Sequence, residues 1–171
     1  MIQTLNHRPG PAEAPEPYRR YLGRIPDNDL VSRLESQLDT TLAMIDDLDP
    51  DARYAPGKWS VAEVLVHLAD TERIFATRAL RIARADPTPL PGFEQDDYIA
   101  AADLHHRAYT EIQAELRAVR AATIALYRGL SDTALLRTGT AAGVPFTPRG
   151  IAWVVAGHEL HHREILVERY R

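Results

Sequence analysis

Apolar residues recur at spacings of three and four along most of this chain, the pattern of helices that bury one face. The first run is Leu30, Leu34, Leu38, Leu42 and Ile45. It predicts a helix from about Asp27, a good N-cap, to about Leu48, where Asp49-Pro50 ends it. Pro56-Gly57 marks a turn in the loop that follows. Ser60-Val61-Ala62-Glu63 is a capping box and opens a second helix running to about Ala85. Val61, Val64, Leu65, Leu68, Phe75, Ala79 and Ile82 line its apolar face. Pro87, Pro89, Pro91 and Gly92 mark a long connection over 86–97, a pocket wall or a plain connector. A third helix is expected over roughly 101–129, from Ile112, Leu116, Val119, Thr123, Leu126 and Leu130. Gly139 and Gly143 mark another loop. Thr147-Pro148, a cap followed by proline at the first helical position, starts the last helix, which ends near Tyr170.

The first 26 residues read differently. Prolines at 9, 11, 15, 17 and 26 are too many for a helix of that length. An extended arm is expected, with one short turn near 18–22 and with Tyr18, Tyr21 and Leu22 tacking it to the body. Four helices of about 20 residues, with almost no alternating pattern, predict an all-α fold: a four-helix bundle over 27–171 with long inter-helix loops.

Polar residues on the apolar faces point to chemistry. His158 and His162 are four apart in the last helix, on the face that carries Ile151, Val155, Ile165 and Leu166. That spacing stacks two imidazoles, able to share one metal ion, and inward polar rings need a partner. Gly157 beside them would let a neighbouring helix come close. His67 borders the apolar face of the second helix and is the natural third ligand. Three histidines with no obvious fourth protein ligand leave a position open for water or substrate, the pattern of a catalytic site. Imidazole suits Zn²⁺ and Ni²⁺, and Fe²⁺ as well. Asp70, Glu72 and Glu159 are the carboxylates that could support a ligand ring; Glu72 falls within the apolar face of its helix. The alternative is a set of core histidines satisfied by other groups. His161 lies on the flank of the stripe, while His105, His106 and His7 read as solvated.

His158-Glu159-Leu160-His161-His162 is also a literal H-E-x-x-H, in which Glu159 would be the general base of a zincin protease. A zincin needs a third ligand downstream, and only nine residues follow His162. The metzincin extension would place Gly where Ile165 stands.

Composition narrows the function classes. A net charge of −4 argues against a nucleic-acid surface. No apolar run approaches about 18 residues, so no membrane span is expected. The start has no apolar signal core, and a cytoplasmic location is expected. With no cysteine in the chain, disulfides, thiolate ligands and a cysteine nucleophile are excluded.

Lys58-Trp59-Ser60-Val61-Ala62-Glu63-Val64-Leu65-Val66-His67-Leu68-Ala69-Asp70-Thr71-Glu72 resembles the second-helix motif of the DinB/YfiT-like superfamily, and Gly157-His158-Glu159-Leu160-His161-His162 resembles its closing motif. Leu90-Pro91-Gly92-Phe93 and Leu116-Arg117-Ala118-Val119-Arg120 are similar as well. The resemblance implies a bundle of non-standard helix order, often a homodimer, with a divalent metal on His67, His158 and His162. It also implies transferases and isomerases that use small bacterial thiols such as bacillithiol and mycothiol, and metal-dependent hydrolases. The expected function is therefore metal-dependent thiol transfer or hydrolysis on a small-molecule substrate. A low-molecular-weight thiol would have to be a cosubstrate, its pKa lowered at the open metal position. The alternative is a non-catalytic, metal-stabilised bundle in a stress response.

Overall fold

The computed structural model describes residues 3–26 and 29–170. In chain order these form α1 (Gln3–Asn6), α2 (Glu16–Leu22), α3 (Leu30–Met44), α4 (Val61–Ala83), α5 (Gln95–Ala101), α6 (Tyr109–Arg128) and α7 (Asp132–Leu135), then β1 (Gly139–Ala141), β2 (Val144–Phe146) and α8 (Pro148–Arg169). The long helices α3, α4, α6 and α8 make the bundle. α4 packs on α6 and α8, and α3 packs on the same two. Around the bundle the order is therefore α3–α6–α4–α8, so that α3 and α4, consecutive in the chain, stand at opposite corners. No helix among the described residues is long and apolar enough to cross a membrane.

Local chemistry explains the helix starts. The Ser60 hydroxyl accepts from Glu63 N at 3.2 Å, and Ser60 N donates back to the Glu63 carboxylate at 2.6 Å, which closes the expected capping box. Thr147 Oγ1 accepts from Gly150 N at 3.0 Å, ahead of Pro148. The α3 cap is Asp29, accepting from Val31 N and Ser32 N; the expected cap Asp27 lies outside the described residues. α3 also ends at Met44, a turn earlier than its apolar stripe suggests.

Three stretches depart from the pattern reading. The expected third helix over 101–129 is split into α5 and α6 by residues 102–108. That gap holds no Gly or Pro. Instead Asp103 takes the backbone N–H of His105 at 3.3 Å, diverting it from the helical ladder, and α6 begins where the Glu111 carboxylate accepts from Ala108 N. The loop around Gly139 and Gly143 is a β-hairpin, its two-residue turn made by Ala142 and Gly143, both at positive φ. Leu90 pairs with this hairpin, donating to Thr140 O and accepting from Ala142 N, both at 2.9 Å, which pins the middle of the 86–97 connection.

The third departure is the N-terminal segment, which is not an extended arm. α1, α2 and the turns beside them fold onto the bundle and bury Leu5, Ala14, Tyr21, Leu22 and Ile25 in a core shared with Phe75, Tyr127 and Trp153. Pro15 is the α2 cap and Pro17 sits in its first turn, where a missing N–H costs nothing. Prolines that forbid a long helix thus permit a short one. Trp153 Nε1 donates to Leu5 O at 2.9 Å, and Glu13 pairs with Arg149 and accepts from Thr147 Oγ1.

Glycines on α8 allow this docking. A Cβ on Gly157 would lie 2.2 Å from the Tyr21 carbonyl oxygen, and one on Gly150 would lie 2.1 Å from that of Glu13. Both neighbours are backbone and cannot rotate away. Gly157→Ala is expected to cost about 1–3 kcal/mol through overpacking, read from urea unfolding; an unchanged midpoint would mean that α2 does not rest on α8.

Candidate metal centre

α4 and α8 bring the three predicted histidines together. His158 Nε2 lies 3.1 Å from His67 Nε2 and 3.1 Å from His162 Nε2, and one ring nitrogen from each lies within 4.8 Å of the others. A tetrahedral ion with nitrogen ligands at about 2.0–2.1 Å needs them roughly 3.3–3.4 Å apart. Ring–ring contacts hold the set. Trp59 packs on His67 with centroids 4.7 Å apart, and Tyr21 packs on His158 at 5.4 Å. Tyr21 also stacks on His161, a half-buried neighbour that does not join the cluster.

The three rings are neutral at pH 7. Burial pushes the His67 pKa down to about 4. His158 and His162 are held well below the usual range, first by burial and then by the neighbouring imidazoles. Neutral imidazole is the ligand form, and three ring nitrogens converging on one point suit a cation once each turns its lone pair inward.

The same shifts set a pH dependence. Each folded pKa lies below the unfolded value of about 6.5, so as pH falls the unfolded chain takes up protons first. Stability is complete above pH 6.5 and is lost toward pH 4. Between pH 6.5 and 5, above most carboxylate titration, His67 alone is expected to remove about 2 kcal/mol from the chelated protein. Urea midpoints across that window measure it, and His67→Leu should flatten the slope. An equal slope in both proteins would contradict the burial of a neutral ring.

The carboxylates are placed elsewhere. Asp70 bonds Arg73 at 3.4 Å, its pKa raised chiefly by burial. Glu72 and Glu159 both serve Arg120: Nε and Nη2 donate to the two Glu72 oxygens at 2.9 and 3.0 Å, and Nη2 donates to Glu159 at 2.7 Å. Thr41 Oγ1 donates to the other Glu159 oxygen at 2.5 Å. With both oxygens engaged in the core, Glu159 is not free to act as the base that the H-E-x-x-H reading requires. Burial alone would lower the Arg120 pKa; the two carboxylates outweigh it and raise it. A cavity of about 10 Å³, one water in size, separates this cluster from His158. Two carboxylates and one guanidinium carry a net −1, a field that favours a cation at the histidines.

Among the described residues, the side chain that hydrogen-bonds a ligand ring from outside the cluster is Thr71, its Oγ1 3.4 Å from His67 Nδ1. Pattern reading missed it, although it lies one turn beyond His67 on the same face. Arg120 was also missed; the one hint was Glu72, a carboxylate on an apolar face.

A cavity of about 340 Å³ opens beside His162, lined by Tyr54, Lys58, Trp59, Gln95, Asp96 and Tyr170 among others. Trp59, on the loop before α4, forms one wall. Of the 86–97 connection only its end, now the first residues of α5, reaches this cavity.

No curated protein sequence matches the chain. Among solved structures, YfiT from Bacillus subtilis, described as a probable metal-dependent hydrolase with an unusual four-helix bundle topology, superposes with a TM-score of 0.65. It is 17% identical over 94% of this chain and 89% of its own, a likeness that speaks to the fold. A family model matches residues 28–166, taking in α3, α4, α6 and most of α8 with both histidine motifs, and the chain belongs to the DinB superfamily.

Proposed function

We propose that the chain is a metal-dependent enzyme acting on a small molecule, with one divalent cation held by His67, His158 and His162. The observation that carries this reading is the convergence of three neutral Nε2 atoms at the edge of a pocket of substrate size. Zinc or nickel, and iron as well, suits an all-imidazole donor set. A cation there would supply Lewis-acid chemistry, lowering the pKa of a thiol or water brought against it.

The protein's own residues do the remaining work. Trp59 and Tyr21 fix the rings of His67 and His158 by packing. Tyr54, Trp59 and Tyr170 form an aromatic wall suited to the apolar part of a ligand. Tyr170 OH donates to Trp59 O at 2.6 Å, which ties the C-terminal end of α8 to the loop before α4. Lys58 and Asp96 offer one charge of each sign to orient a polar substrate. The reaction is hydrolysis, or transfer to a low-molecular-weight thiol; without a cysteine in the chain, such a thiol is a cosubstrate.

The test is turnover. Protein loaded with Zn²⁺, Ni²⁺ or Fe²⁺ is assayed against ester, amide and thiol-conjugation substrates, with and without chelator. Turnover lost on chelation and restored by metal supports the enzyme. Loaded protein that melts higher than the chelated form yet turns over none of them makes the ion a structural device.

A further inference from the structure

Eleven residues beyond His67 on α4, about 16 Å along the helix axis, stands a second charged group that the histidine site does not use. Arg78 is 3% exposed. Its Nη2 donates to Pro91 O at 2.7 Å, while Nη1 is enclosed with no hydrogen-bond partner. The nearby arginines on α4 are paired: Arg73 with Asp70 and Glu115, and Arg81 with Asp86. Among the described residues no carboxylate pairs with Arg78. Its guanidinium lies instead over the rings of Phe75 and Phe93, 5.0 and 5.7 Å from their centroids, with Tyr18 also beside it. Burial lowers its pKa, but a guanidinium stays charged at any physiological pH. A buried cation without an anion is costly, and the cost is relieved by supplying one.

Arg78 lines a cavity of about 320 Å³ between α4 and the stretch that leads into α5, walled by Ile74, Leu90, Phe93 and Tyr98, with the paired Arg73 and Arg81 on its rim. We propose that this cleft binds a small organic carboxylate with an aromatic or aliphatic body. The carboxylate takes the Nη1–Nη2 edge of Arg78 in the two-bond geometry that suits a guanidinium fork, and the apolar walls hold the body. Because Nη1 is enclosed, entry moves the 91–93 stretch aside, the ligand taking over the bond that Pro91 O now makes. One unpaired guanidinium balances one charge; a phosphate dianion would leave a second charge uncompensated, since Arg73 and Arg81 are already committed. The site stands apart from the histidine cluster and does not depend on its being a metal centre.

The probes are benzoate, butyrate and inorganic phosphate, titrated calorimetrically into the full chain in EDTA at constant ionic strength. Saturable binding of benzoate or butyrate, tighter than phosphate, is expected. Arg78→Met, which keeps the volume and removes the charge, should weaken it at least tenfold while circular dichroism shows an intact fold. Tyr98→Ala alters an exposed wall residue and should weaken benzoate severalfold, so the site stays testable even where Arg78→Met does not fold. Arg117→Met, at an exposed position on α6 outside the cleft, should stay within twofold. Absence of saturable carboxylate binding, equal binding by Arg78→Met, or a preference for phosphate overturns the proposal.

Discussion

Arg120→Met is expected to lower the unfolding free energy by about 3–5 kcal/mol, which for a chain of this length is a fall in Tm of roughly 6–20 °C. The size follows from what is left behind. Arg120 on α6 sits between Glu72 on α4 and Glu159 on α8, donates through Nη1 to Leu34 O on α3 at 3.1 Å, and has both side-chain partners 4% exposed or less. Thr41 on α3 completes the set by donating to Glu159. All four bundle helices therefore meet at this one cation. Without it two carboxylates face each other in the core with no cation between them. Replacing the whole cluster should cost far less, because a buried ion network exchanged for apolar groups of similar volume is often neutral. The triple variant Glu72→Leu, Arg120→Met, Glu159→Leu is thus expected to regain most of the lost Tm. Thermal unfolding of the two variants decides it: a single substitution that melts with the wild type would show that the network does not hold the bundle.

The second large effect concerns the metal. Protein purified without chelator and dialysed is expected to carry close to one divalent ion per chain, and His158→Ala less than about a tenth of that. Loss of a direct ligand should exceed the 10–100-fold that loss of a supporting partner typically costs. His158 is the right position to change because its Nε2 is the one that touches both other rings. Stability should follow occupancy. At metal 100-fold above its Kd, binding contributes about 2.7 kcal/mol, so chelation should lower the wild-type Tm by roughly 5–11 °C and leave His158→Ala unmoved by EDTA. Elemental analysis and melting curves measure both. A wild-type chain that stays metal-free after incubation with Zn²⁺, Ni²⁺ and Fe²⁺ removes the basis of the proposed function.

What could be read without the fold was whatever depends on neighbours a few residues away. The Ser60–Glu63 box, the Thr147-Pro148 start and the stacking of His158 over His162 all follow from helical geometry alone. So does the oddity of Glu72, a carboxylate on an apolar face. His67 could be matched to the pair because both helices already had assigned inner faces.

What the chain's pattern could not hold was pairing across distance. The partner that explains Glu72 is Arg120, 48 residues on, and the same arginine claims Glu159 another 39 residues away. No periodicity encodes which cation meets which carboxylate across three helices, so spacing alone left Glu159 among the carboxylates that could support a ligand ring, whereas its oxygens serve Arg120 and Thr41. The N-terminal segment misled for a related reason. Its prolines state only that no long helix can form; they say nothing about a surface elsewhere that would reward a short one, and that surface exists because Gly150 and Gly157 leave α8 bare where Glu13 and Tyr21 come down. Local spacing determined the four long helices of the bundle, to within a turn or two at their ends, and two of the three histidines' shared face. The diagonal placement of α3 and α4, the buried charge cluster and the pocket beside His162 were decided by tertiary packing, because each depends on which surfaces meet once the helices have formed.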